Sequence, residues 1–326
     1  MDRRTFIGML PGALTAAAGV ALAQQPARIY RIGFLGILSA AQYASRVAAF
    51  RSGLRDLGYV EGKNLIIEFR WADGDESRLP ELAAELVALN VDVIVTHATA
   101  GGIAVKRATT TIPIVMAVTG DAVAAGLAAS LSRPGGNVTG STILIPELNV
   151  KRLELVKIAL PHADRVALLV HQGSPSNDLM LRLMASGAQS LQLELLSVAV
   201  TDPGAFDSVF SRIGEANIDA VLVYEEPMFV ANVRAVADVA VGRRLPLFGF
   251  EEIADAGGLI GYGVDLIEMI RHAAVFVDKI LKGAKPADMP FEQASKFKLA
   301  INLRTAKALG LTIPKDLLLR ADEVIQ

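Results

Sequence analysis

Two short apolar runs, Val91-Asp92-Val93-Ile94-Val95 and Ile112-Pro113-Ile114-Val115-Met116, flank a segment that reads as a helix. A continuous Val/Ile run of this length is what a strand buried on both faces requires, and a helix between two of them marks a βαβ unit with a parallel sheet. Working outward, Ile32-Gly33-Phe34-Leu35-Gly36 reads as an earlier buried strand. The stretch from Arg46 to Gly58 follows as a helix ended by glycine, and Asn64 to Trp71 alternates like a strand. Leu79, Leu82, Ala83, Leu86 and Val87 then fall at the spacing of a helix with one apolar face.

A turn cluster, Pro134-Gly135-Gly136-Asn137, interrupts the rhythm, which then restarts. Helices are expected from Asn149 to Leu160, after Ser174-Pro175 and after Asp202-Pro203, where a capping side chain precedes proline at the first helical position. Strands are expected at Arg165–Val170, Leu193–Val200, Ile218–Tyr224 and Leu245–Phe250. Leu259-Ile260-Gly261-Tyr262 reads as a strand before a helix from Leu266 to Leu281. The fold class expected is therefore α/β, with two doubly wound parallel-sheet lobes joined by a multi-strand hinge and a cleft between them. Lobe 1 is assigned to residues 28–145, with 262–283 returning to it, and lobe 2 to residues 146–261. Residues 284–326 could rejoin either sheet.

The first 23 residues read as an export leader. Asp2-Arg3-Arg4-Thr5-Phe6 is a twin-arginine start, the apolar stretch after it is about 15 residues, and Ala21-Leu22-Ala23 offers a small-x-small cleavage site. That length is below the roughly 20 residues needed to span a bilayer. Both the Tat and the general secretory routes fit, since Asp2 and Gly8 depart from the usual Tat pattern. The mature chain is expected to be exported to a periplasm, without stable membrane insertion. Cysteine is absent, so disulfides, thiolate chemistry and a lipidated Cys after the leader are all excluded. The formal net charge is −2 with interspersed signs, which gives no electrostatic footprint for nucleic acid.

Several chemistries lack their signatures. Gly33-Phe34-Leu35-Gly36 is not the glycine pattern that seats a dinucleotide, and Tyr59 stands where a P-loop needs Lys. No serine sits in a G-x-S-x-G elbow, and His97, His162, His171 and His272 show no metal-ligand spacing. No catalytic residue, metal or cofactor is assigned, and the chain is not expected to be an enzyme. A ligand is expected beyond the carboxyl ends of the strands, at helix N-termini. The candidates in lobe 1 are Ser39, Tyr43, Thr96, His97, Thr99 and Asp121. Those in lobe 2 are His171, Ser174, Asn177, Tyr224, Glu225, Glu226 and Glu251. Thr96, Thr99 and Asp121 could equally be helix caps. The adjacent carboxylates Glu225 and Glu226 are costly after an apolar strand unless solvated or paired.

Ordered blocks along the chain resemble the ABC-transporter substrate-binding proteins of the tryptophan/tyrosine type, which have the type I periplasmic-binding-protein fold. They include Leu57-Gly58-Tyr59-Val60-Glu61-Gly62-Lys63-Asn64-Leu65 and Ser132-Arg133-Pro134-Gly135-Gly136-Asn137-Val138-Thr139-Gly140. Gly257-Gly258-Leu259-Ile260-Gly261-Tyr262-Gly263, Ile280-Leu281-Lys282-Gly283, Ile301-Asn302-Leu303-Arg304-Thr305-Ala306 and Arg320-Ala321-Asp322-Glu323-Val324-Ile325 complete the series. The resemblance implies a two-lobed receptor that closes on a small ligand and delivers it to an ABC permease in the inner membrane; a monomer and a small polar or carboxylate-bearing ligand are expected. An amino acid or an aromatic or organic acid is the implied class. The family's Asp-Pro-Val is replaced here by Asp121-Ala122-Val123, which loosens the loop that presents Asp121. A ligand-sensing subunit for a membrane signalling receptor is the alternative. A cytoplasmic repressor would need a helix-turn-helix where the leader stands.

Overall fold

The computed structural model describes residues 28–143, 145–172 and 177–326, with side chains described for 28–143, 147–172 and 180–326. The leader, Ser174 and the side chain of Asn177 lie outside these residues.

The chain first lays down β1 (Tyr30–Gly36), β2 (Leu65–Trp71), β3 (Val93–His97), β4 (Ile114–Thr119) and β5 (Val138–Thr142). It continues with β6 (Arg165–His171), β7 (Glu194–Val200), β8 (Ala220–Leu222), β9 (Leu247–Gly249) and β10 (Ile260–Val264). The last three strands are β11 (Glu292–Gln293), β12 (Phe297–Asn302) and β13 (Glu323–Ile325). Among the described residues they form two sheets, ordered β11-β5-β4-β3-β1-β2 and β13-β12-β10-β9-β8-β6-β7. Every pairing is parallel except that of β10 with β12.

Parallel pairing forces helical crossovers that cover both faces of each sheet, and the apolar strands follow from that burial. In the first lobe the helices Ala44–Asp56 and Leu266–Leu281 share one core with β1 and β3. They approach closely because Gly53 faces the Arg271 carbonyl, and a Cβ at Gly53 would lie 2.5 Å from that oxygen. The opposite face is covered by Leu79–Ala88 and Ala98–Ala108. Leu79, Leu82, Ala83 and Leu86 are buried there, as their spacing requires, with Val87 at the margin. The second lobe has one continuous core under Ile145–Ala159, Asn177–Ser190, Phe206–Glu215 and Val233–Gly242.

Three segments carry the chain between sheets: β5 into Ile145–Ala159, β10 into Leu266–Leu281, and β11 into β12. The C-terminal residues thus serve both lobes, through β11 in the first sheet and β12 and β13 in the second. Beside the crossings lies a small cluster of Val118, Ile143, Leu148 and Val264.

One strand was not anticipated, and two expected strands are shorter than their apolar runs. Val138-Thr139-Gly140-Ser141-Thr142 is a buried strand, which no apolar run announces. Its hydroxyls are satisfied internally: Thr139 donates to the Met289 carbonyl at 2.8 Å and Thr142 to that of Gly120 at 2.5 Å. The expected strands at Ile218–Tyr224 and Leu245–Phe250 shrink to three residues each, Ala220–Leu222 and Leu247–Gly249. Among the described residues no helix is long and apolar enough to cross a membrane.

Candidate ligand-binding cleft

The carboxyl ends of the two sheets face each other, and the residues that follow the strands meet between them. Arg46, in the first turn of Ala44–Asp56, reaches across to Glu252 at 2.5 Å. Gln42 donates to the Ala231 carbonyl at 3.4 Å, and Val230 and Ala231 of the second lobe pack on the core of the first. Contact across the cleft is therefore apolar, hydrogen-bonded and ionic together.

Behind Arg46 stands an aromatic stack. Its guanidinium carbon lies 5.4 Å from the Tyr43 ring centre, and Tyr43 stacks on His97 at 4.3 Å with 19° between planes. His97 Nε2 accepts from the Ile37 N–H at 3.2 Å, so the ring proton sits on Nδ1. Burial, and then the Arg46 charge, push the His97 pKa down to about 3, so the imidazole is neutral. Burial pushes the Tyr43 hydroxyl up. Thr96 is fully buried and donates to the Leu35 carbonyl at 3.0 Å, stitching β3 to β1. These three side chains support the cleft from beneath.

Thr99 is half-buried at the start of Ala98–Ala108, and its hydroxyl lies 3.3 Å from that of Thr119 at the end of β4. Ala98, between strand and helix, has φ 55°, a left-handed conformation costly for a residue with a side chain and recurrent at functional sites. The turn sets Thr99 and the first free N–H groups of the helix at the sheet edge. Ser39 Oγ donates to the side-chain Oε1 of Gln42 at 2.9 Å and so orients the amide that crosses the cleft. Asp121 is exposed, and its carboxylate accepts from the N–H groups of Val123 and Ala124 at 2.9 and 3.0 Å.

In the second lobe His171 Nδ1 lies 2.8 Å from Glu226 Oε1, while Glu226 Oε2 accepts from the Met228 N–H at 2.8 Å and caps Pro227–Ala231. Tyr224 is buried with its ring edge-on to Phe229. Glu225 is gripped by both terminal nitrogens of Arg152, the side chains being only 6% and 1% exposed. Arg152 also donates to the Tyr262 carbonyl and to Asn149 Oδ1, both at 2.7 Å, so its donors are spent on the pair and its surroundings. Glu251 points elsewhere: it is half-buried, its pKa raised by burial, with Lys298 4.0 Å away. Its carboxylate lies within 4.8 Å of those of Asp255 and Glu323 at the side of the second sheet.

Thus Ser39, Tyr43, Thr96, His97 and Thr99 gather at the first sheet edge, and His171, Tyr224, Glu225 and Glu226 at the second. Asp121 is committed to its own turn, and Glu251 to the Lys298 side. Sequence reasoning missed Gln42, Arg46, Arg152 and Glu252. Glu252 adjoins a residue that was named, Gln42 lies between the named Ser39 and Tyr43, and the first turn of the helix that follows was the signal for Arg46.

Two α/β lobes with facing carboxyl edges, three crossing segments and a polar cleft define a solute-binding protein of the type I periplasmic-binding fold. The sequence profile described as ABC transporter substrate binding protein matches residues 31–325, and the chain belongs to that family. Among its relatives is the tyrosine-binding protein of Clostridioides difficile, 28% identical over 264 residues, which are 80% of this chain and 75% of that protein. An ABC domain from Streptococcus pneumoniae, crystallised in complex with L-Trp, superposes with a TM-score of 0.84 at 26% identity. A conserved domain protein from Vibrio cholerae gives 0.85 at 27%, and both comparisons cover 91% of this chain and all of the other.

Proposed function

We propose that the chain is the extracytoplasmic receptor of an ABC importer, exported to the periplasm, monomeric and without catalytic activity. It closes two lobes on a small carboxylate-bearing ligand, an amino acid or an aromatic or organic acid, and hands it to a membrane permease. The observation that carries this reading is the pair of facing sheet edges, bridged by Arg46–Glu252 and floored by the hydroxyls of Thr99 and Thr119. The tyrosine-binding relative and the tryptophan complex support the ligand class.

Thr99 and the N–H groups opening Ala98–Ala108 hold the ligand carboxylate, where the helix dipole favours negative charge. The His171–Glu226 pair receives the polar group at the other end. Ser39 and Gln42 orient the crossing contact, and Tyr43, Thr96 and His97 keep the first lobe's edge rigid. Glu225, neutralised by Arg152, shapes the wall without adding net charge.

Titration calorimetry of the mature chain against L-tryptophan, L-tyrosine, L-phenylalanine and aromatic carboxylates tests this. At least one is expected to bind, and Thr99→Val to weaken it by about tenfold, the loss of one hydrogen bond to a charged group. Binding by none of them, or affinity indifferent to Thr99→Val, contradicts the assignment.

A further inference from the structure

A cavity of about 300 Å³ lies at the hinge, beside the cleft floor, since its lining residue Thr142 pairs with Thr119. Its walls come from all three crossing segments: Ile143 from the first, Tyr262 from the second, Gln293 and Phe297 from the third. Leu148 and Glu147, from the helix that follows the first crossing, close it. The volume stands at the lower end of the usual range for small-molecule sites.

The lining has a definite chemistry. Tyr262 and Phe297 sit on one face of the antiparallel β10–β12 pair, their rings 6.0 Å apart and inclined by 24°. Phe297 is 39% exposed, although Leu299, Ala300 and Ile301 after it are buried. An aromatic ring left open to a cavity gains by being covered with another flat apolar group. Two charged side chains also line the cavity. Lys151 is held by Glu154, whereas Glu147 is exposed and has no ion pair among the described residues. The uncompensated charge at the rim is therefore negative. A cation entering beside Tyr262 and Phe297 meets both a carboxylate and two ring faces.

We propose that this hinge cavity is a second binding site, beside the cleft and distinct from its Thr99 end, for a small arylalkylamine: one aromatic ring carrying a cationic amine on a short arm. The ring lies against Phe297 and Tyr262, and the ammonium group pairs with Glu147. Because three crossings line the cavity, a molecule seated there favours the angle between lobes at which the cavity exists.

Titration calorimetry of the full mature chain with phenethylamine tests the site. Saturable one-to-one binding is expected, weakened about tenfold by Glu147→Gln and at least as much by Phe297→Ala, and unchanged by Thr99→Val. Glu147 is exposed, so its variant keeps the fold, which circular dichroism verifies for all three. No saturable binding up to about 10 mM, well above the affinity of even weak specific sites, overturns the proposal. So does binding indifferent to Glu147→Gln or Phe297→Ala. Binding abolished by Thr99→Val places the amine in the cleft; the hinge site then fails while the receptor reading stands.

Discussion

His97 illustrates how a side chain at a sheet edge is used up by its surroundings. Its neutral ring accepts from Ile37, stacks on Tyr43 and carries a pKa lowered to about 3. Between the unfolded value near 6.5 and the folded value, the unfolded chain binds the extra proton, so stability falls as pH falls. The slope expected from this residue grows below pH 6.5 and approaches about 1.4 kcal/mol per pH unit from about pH 5.5 downward. Urea denaturation from pH 7 to 5 checks it, and His97→Gln is expected to flatten that slope. The Arg152–Glu225 pair obeys a different rule: removing one partner strands a buried charge. Arg152→Met is expected to cost about 3–5 kcal/mol, and the double change with Glu225→Leu far less, read as shifts in denaturation midpoint. Neither pairing could be read from sequence. Arg152 and Glu225 are separated by 73 positions, and Arg46 and Glu252 by 206. Glu251 and Glu252 are adjacent, yet only Glu252 pairs with Arg46, because the chain enters a short helix there and residues one apart face different sides.

The helix Ala98–Ala108 shows what glycine does for an element. A Cβ at Gly101 would lie 2.4 Å from Thr96 Oγ1, which is already bound to the Leu35 carbonyl, and one at Gly102 would lie 2.8 Å from Met116 Sδ. Helix propensity alone favours Gly→Ala by about 1 kcal/mol. Gly101→Ala is nonetheless expected to destabilise by about 1–3 kcal/mol, since it overpacks a bonded side chain. A lower urea midpoint confirms this; a higher one would show that propensity wins. At this scale the sequence was most legible where apolar spacing and burial coincide. Leu266–Leu281 has the bounds its pattern implies, and β3 is displaced by two residues from the Val91–Val95 reading. Legibility failed at β5, whose Thr and Ser residues are buried because carbonyls of neighbouring segments accept their protons. It was imprecise at β8 and β9, where apolar residues beyond three-residue ladders pack as loops.

Across the whole molecule the two sheets are joined by three crossing segments and by the contacts across the cleft, and the proposed closure would change the angle between them. Arg46–Glu252 joins the lobes, with side chains 9% and 28% exposed. Its removal is expected to favour separation. Glu252→Gln should enlarge the radius of gyration in solution and weaken ligand several-fold, on the order of 1 kcal/mol for a half-screened ion pair. The βαβ rhythm of two halves was plain in the sequence. The use of the last forty residues by both sheets was not, since β11 is only two residues long and β12 pairs antiparallel. The most direct measurement is small-angle scattering of residues 24–326 with and without a saturating amount of the tightest amino acid or aromatic acid found by calorimetry. Lobe closure predicts a smaller radius of gyration when ligand is bound. An unchanged radius at saturation, with ligand demonstrably bound, would contradict it.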